Sequence, residues 1–188
     1  MLTTEQTKAW LLAFNTKIQE NKDYLSELDT PIGDADHGAN MARGMAEVTK
    51  ALEVESFASS ADILKKTAIT LMSKVGGASG PLYGSAFLAM SKAAGEGGDV
   101  TALIQAGLEA IQKRGKAVVG EKTMVDIWAA FLEGANTEEK LEAVVEASKD
   151  ILATKGRASY LGERSLGHID PGTRSSAYLF EALLEVTV

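Results

Sequence analysis

Cysteine is missing from this 188-residue chain. That removes disulfides, thiolate metal sites and cysteine nucleophiles together. Histidine occurs twice, at His37 and His168, and the two lie far apart in sequence, so no Ser/His/Asp nucleophile arrangement is visible. Positive charge is also in deficit: 19 Lys and Arg stand against 26 Asp and Glu, a net charge of −7. No run of Lys and Arg supplies the basic face that a nucleic-acid binder needs. No apolar stretch approaches the ~18 residues of a membrane span. The N-terminus has no basic stretch leading into an apolar run, so no signal peptide is expected and the plain reading is a cytoplasmic protein. The glycine fingerprints G-x-x-x-x-G-K-S/T and G-x-G-x-x-G are absent, which leaves neither a P-loop nor a Rossmann site.

What is present is ordinary in bulk and organised in detail. Hydrophobic residues are 45% and charged residues 24%, as in a soluble globular protein. With no Pro/Ser-rich linker, the length suits one domain over 1–188. Helical periodicity recurs almost throughout. Trp10, Leu11, Phe14 and Ile18 share a face, as do Met41, Met45, Val48 and Leu52. Further stripes are Leu64, Ala68, Leu71, Met72 and Val75; Ile104, Leu108 and Ile111; Leu141, Val144, Val145, Ser148, Ile151 and Leu152; and Leu179, Leu183 and Val186. Strand signals are scarce. The pattern predicts about eight helices, over roughly 4–20, 22–29, 38–54, 61–75, 81–94, 100–114, 123–134 with 138–154, and 173–185. Short, glycine-bearing connections favour antiparallel neighbours, hence an all-α, up-and-down bundle or helical barrel. The longest connection, 156–172, is of a length usually reserved for function.

Chemistry concentrates in the stretch Asp29-Thr-Pro-Ile-Gly-Asp-Ala-Asp-His-Gly-Ala-Asn40. On a helix, Asp34 and Asp36 would point apart. Pro31 and Gly33 break the helix, which lets both join Asp29 at one point. Three carboxylates without a His/Cys set favour a hard, oxygen-liganded ion, Mg2+ over Zn2+. An EF-hand does not fit, since its fifth and twelfth loop positions would be Gly38 and Met45. Aspartates in Gly/Pro turns also serve as helix caps and solvated acids, so composition alone does not decide. Three glycine-bearing helix starts offer free N–H groups to an anion: His37-Gly-Ala-Asn40, Gly76-Gly-Ala-Ser-Gly-Pro-Leu-Tyr-Gly84, with Pro81 at a first helical position, and Asp170-Pro-Gly-Thr-Arg-Ser-Ser176. Gly120-Glu-Lys-Thr-Met-Val-Asp126 opens another helix with Thr123 as its cap. Arg157 and Arg164 lie in the long connection, where a phosphate contact competes with simple solvation.

Taken together and in order, the motifs 28–41, 76–84, 120–126 and 156–172 resemble the nucleotide-binding L subunit of dihydroxyacetone kinase. The resemblance runs through nearly the whole chain and does not extend to a substrate-binding K domain. It therefore implies the stand-alone subunit of the phosphotransferase-system-dependent enzyme. It implies a barrel of eight antiparallel helices with the nucleotide at one rim. Asp29, Asp34 and Asp36 would hold two Mg2+ ions. His37, Gly38, Ala39, Asn40, Ala78 and Ser79 would line the nucleotide site, and Gly115 and Met124 would flank the adenine. Arg157, or Arg164 in its place, would close over the nucleotide with Asp170, Pro171 and Gly172. ADP would stay tightly bound. A phosphohistidine on an M subunit would rephosphorylate it, and the phosphoryl group would pass to dihydroxyacetone on a K subunit. No catalytic acid or base is then required of this chain. Two alternatives remain open. One is an ATP-dependent kinase domain for another acceptor; related fatty-acid kinases carry Pro-Asp-Gly-Asp-Thr-Gly without histidine, so His37 speaks against it. The other is a nucleotide-binding adaptor for a transcriptional regulator.

Overall fold

The structure, a computed structural model, describes residues 1–187. Among these it contains no strand, and its α-helices are α1 (Thr4–Glu20), α2 (Lys22–Asp29), α3 (His37–Val54), α4 (Ser60–Lys74), α5 (Ser79–Gly95), α6 (Val100–Gly115), α7 (Met124–Leu132), α8 (Glu138–Ala147) and α9 (Pro171–Thr187). Two 3-10 segments, Ser148–Asp150 and Arg157–Ser165, follow α8. The expected all-α class holds. The apolar stripes explain the packing: Trp10, Leu11, Phe14, Ile18, Met41, Met45, Leu52, Ile104 and Leu179 are buried in one continuous core. Helix neighbours form a circuit in which α1 packs on α3, α3 on α4, α4 on α5, α5 on α6, α6 on α7, α7 on α9, and α9 back on α1. Aromatic rings cross the interior, with Trp10 against Phe87 at 6.1 Å and Phe14 against Tyr83 at 6.3 Å between centroids.

Five helix starts are closed by their own side chains. Thr3, Ser59, Asp99, Thr123 and Thr137 each accept a hydrogen bond from a first-turn N–H of α1, α4, α6, α7 and α8. Thr123 does so in a capping box with Asp126, as expected of that motif.

Several details depart from the sequence reading. The stripe over 138–154 is not one helix. α8 stops at Ala147, and Ile151 is already extended at φ −90° and ψ 129°. The Ser148 carbonyl, which would continue the helix, accepts from the Lys122 ammonium at 2.8 Å and only from Ile151 N, at 3.4 Å, within its own segment. Leu152 is consequently exposed, and so is Met72, which lies off the buried face of α4. α5 begins at Ser79 rather than at Pro81, and α9 begins at Pro171, a first-turn position where proline loses nothing. The long connection is not structureless: its 3-10 turns run to Ser165, interrupted at Gly162.

Candidate functional site

The acidic loop after α2 is folded around Asp29. This buried carboxylate ends α2, and its Oδ2 accepts from the backbone N–H groups of Asp36 at 3.0 Å and His37 at 3.2 Å. The same residue's carbonyl accepts from Gly33 N at 2.6 Å. Any side chain at Gly33 would put a Cβ 1.9 Å from Asp29 Oδ1, so it would displace the carboxylate around which the loop folds. Two residues on, Ala35 takes φ 61°, the left-handed region. That reversal turns Asp34 and Asp36, two apart in sequence, toward a common side. Carboxylate oxygens of Asp29, Asp34 and Asp36 lie within 4.8 Å of one another. The Asp36 carboxyl is pushed above the usual range, first by burial and then by Asp34 and Asp29, against a hydrogen bond from Asn40 that lowers it. An all-oxygen, anionic cluster of this span fits a hard divalent cation.

Beside the aspartates lies a cleft of about 290 Å³. Four helix N-termini meet there, contributing Asp36 and His37 from α3, Ala78 and Ser79 from α5, Thr123 and Met124 from α7, and Asp170, Pro171 and Gly172 from α9. Whereas α7 is closed by Thr123, neither α3 nor α5 is capped by its own N-cap side chain, and on α3 only the His37 N–H is taken, by Asp29. Their dipoles and first-turn N–H groups face the cleft, which suits an anion. By contrast α9 is closed by Asp170, which accepts from Thr173 N at 2.7 Å and Thr173 Oγ1 at 2.8 Å. Burial pushes the Asp170 carboxyl up to about 6, against the hydrogen bonds from Thr173.

His37 faces inward. Its Nδ1 is 3.0 Å from Ser79 Oγ and its Nε2 is 2.9 Å from Ser175 Oγ. Behind it, Tyr83 Oη is 2.8 Å from both Ser175 Oγ and Ser176 Oγ, and Trp128 Nε1 donates to Ser176 Oγ at 3.0 Å. Burial brings the imidazole down to about 4, with the Asp29 charge opposing, so the ring is neutral at pH 7.

Most residues singled out in the sequence meet at this cleft: Asp29, Asp34, Asp36, His37, Asn40, Ala78, Ser79, Met124, Arg157, Asp170, Pro171 and Gly172 all line it. Gly38 instead abuts α2, Ala39 is exposed, and Gly115 ends α6 beside Leu82, itself a lining residue. Of the two loop arginines, Arg157 lies at the mouth, with Nη1 3.0 Å from Asp34 Oδ2, while Arg164 is exposed and outside the lining.

Lys122 is a lining residue that the sequence reading passed over. Its side chain is buried, its φ is 61°, and its ammonium donates to the carbonyls of Ser148 and Ser165 at 2.8 Å each. Burial lowers its proton affinity, with Asp170 and Asp150 opposing. The lysine thereby ties both 3-10 segments to the start of α7. Tyr83, Ser175, Ser176 and Trp128 were also passed over as site residues. Tyr83, Ser175 and Ser176 lie within the glycine-bearing helix starts singled out in the sequence, whereas Trp128 stands outside them.

Residues 31–185 match the family model described as the DAK2 domain. The chain is 72% identical over 190 residues to the ADP-binding subunit of the PTS-dependent dihydroxyacetone kinase of Lactococcus lactis, covering 99% of each chain. It is 53% identical to the ADP-binding subunit of PEP-dependent dihydroxyacetone kinase 1 of Listeria innocua, covering 95% of this chain and 94% of the other. Among solved structures it superposes on the dihydroxyacetone kinase of C. freundii in complex with AMP-PNP and Mg2+, with TM-score 0.77, 23% identity, and coverage of 98% of this chain but 34% of that one. At that identity the likeness speaks for the fold.

Proposed function

Because the chain belongs to the DAK2 domain family, we propose that it is the ADP-binding subunit of a multi-subunit, phosphoenolpyruvate-dependent dihydroxyacetone kinase, working as one domain in the cytoplasm. ADP and two Mg2+ ions supply the carrier that takes a phosphoryl group from a phosphohistidine-bearing M subunit and gives it to dihydroxyacetone on a K subunit. What this chain contributes is positioning and charge compensation, which are the main demands of phosphoryl transfer. Asp29, Asp34 and Asp36 hold the metal side. The first turns of α3 and α5, including the N–H groups of Gly38 and Ala39, face the phosphates. Gly115, Leu82 and Met124 offer an apolar wall for the base, and Arg157 stands over the mouth on the chain that leads to Asp170. A transcriptional regulator is a further partner consistent with the family.

The observation that carries this reading is the meeting of three carboxylates and the N-termini of α3 and α5 on one cleft. Calorimetric titration of ADP with and without Mg2+ tests it. The expected result is Mg2+-dependent binding that Asp36→Asn weakens by at least about 10-fold, the loss of roughly one charge-assisted contact, while the helical circular dichroism is unchanged. Equal affinity in both proteins, or no binding of ADP to the wild type, overturns it.

A further inference from the structure

The hydrogen bonds behind His37 form a chain from the core to the cleft, and its inner end sets their direction. Trp128 Nε1–H has no acceptor capacity, so Ser176 Oγ, 3.0 Å away, must accept from it. Ser176 then has its own proton to place, and Tyr83 Oη at 2.8 Å is its other partner. Having accepted, Tyr83 donates onward to Ser175 Oγ, also at 2.8 Å. Ser175 has two outlets, His37 Nε2 at 2.9 Å and the Gly172 carbonyl at 3.2 Å. The carbonyl is the longer contact, and one of its two lone pairs already serves the helix ladder of α9. The shorter outlet is the ring nitrogen.

Once Nε2 accepts, a neutral imidazole carries its proton on Nδ1. That N–H points at Ser79 Oγ, 3.0 Å away. Ser79 accepts it, and its own hydroxyl proton is left for the cleft that Ser79 lines. Trp128, Tyr83, Ser175 and Ser176 are buried and His37 is 7% exposed, so solvent has no access to reverse the order.

We infer that Trp128, Ser176, Tyr83, Ser175 and His37 are positioning residues that hold Ser79 as a hydrogen-bond donor toward an anionic ligand oxygen, with His37 fixed as its Nδ1–H tautomer. A serine hydroxyl ordinarily donates or accepts as its surroundings ask, whereas a phosphate oxygen only accepts. A one-way chain anchored on an indole N–H removes the wrong orientation before the ligand arrives, so no reorientation is required on binding. This deepens the nucleotide reading above and rests on it for the identity of the anion.

The test begins with 15N-imidazole NMR of the nucleotide-free full chain at neutral pH. There are two histidines, and His168→Gln identifies the His37 signals. A protonated Nδ1 with a bare Nε2 is expected; an Nε2–H tautomer overturns the inference. Tyr83→Phe keeps the ring against Phe14 and cuts the chain between Ser176 and Ser175. It should populate the Nε2–H tautomer and weaken Mg2+·ADP binding by about 10-fold. In a Ser79→Ala background the same change should weaken binding no further, because the relay acts through Ser79. Wild-type tautomer and affinity in Tyr83→Phe, or additive losses in the double variant, overturn the inference. A wild type that shows the Nδ1–H tautomer but binds no ADP supports the bond order while overturning the nucleotide reading.

Discussion

Ala35 is the residue on which the acidic loop turns. At φ 61° its Cβ crowds the following carbonyl, a conformation that costs a non-glycine residue roughly 1–2 kcal/mol. The surroundings hold it there, since the hydrogen bonds of Asp36 N and His37 N to Asp29 fix the chain on the far side of the turn. The strain is local to the site, and it converts two carboxylates that alternate along the chain into two that converge. Ala35→Gly relieves the crowding at the expense of unfolded-chain entropy of about 0.5–1 kcal/mol. A net gain of up to about 1 kcal/mol in unfolding free energy is expected from urea denaturation. A destabilised variant would show that the turn is not strained. Val at the same position should destabilise, because a β-branched side chain tolerates this region least.

At the scale of elements, the site depends on how closely α2 and α3 approach. Gly38, in the first turn of α3, lies so near α2 that an added Cβ would fall 1.7 Å from the Lys22 carbonyl oxygen. Gly38→Ala must push the two helices apart, an overpacking expected to cost about 1–3 kcal/mol. Since α2 carries Asp29 and α3 follows Asp36, the same shift opens the carboxylate cluster. The variant should therefore lose both thermal stability and Mg2+-dependent ADP affinity; a folded variant with unaltered affinity would separate helix spacing from the site. The element boundaries also show what could be read in advance. The stripes of α1, α3 and α6 are local repeats of one period, and they survive folding unchanged. The end of α8 was illegible because it depends on Lys122, more than twenty residues earlier in the chain, taking the Ser148 carbonyl. Among the site residues, Asp29, Asp34 and Asp36 were legible because a single short loop holds them. The hydrogen-bonded link among Tyr83, Trp128, Ser175 and Ser176 was not, because three separate helices bring these residues together and the motifs that hold three of them do not show which side chains meet.

For the whole molecule, two buried groups bend the pH dependence of stability in opposite senses. His37 is folded with its imidazole brought down to about 4 by burial, below the ordinary 6.5. The unfolded chain therefore binds the extra proton, and stability is lost as pH falls from about 6.5 toward 4. Asp170 is the reverse, a carboxyl raised by burial from 3.8 to about 6. Its contribution is fully present below about 3.8 and is lost as pH rises through 6, because the folded state must then hold a desolvated charge. That rise corresponds to at most about 3 kcal/mol, so over pH 4–6 the two slopes oppose each other. Asp170→Asn retains an N-cap for α9 and deletes only the titration. Measured by denaturant unfolding of nucleotide-free protein in chelator, the variant should exceed the wild type at pH 7, and the gap should close toward pH 4. The variant should also lose stability on acidification more steeply than the wild type, with His37 no longer offset. A gap that stays constant across that range would mean that Asp170 is hydrated in the fold and that the cap, rather than its charge, sets its place in the structure.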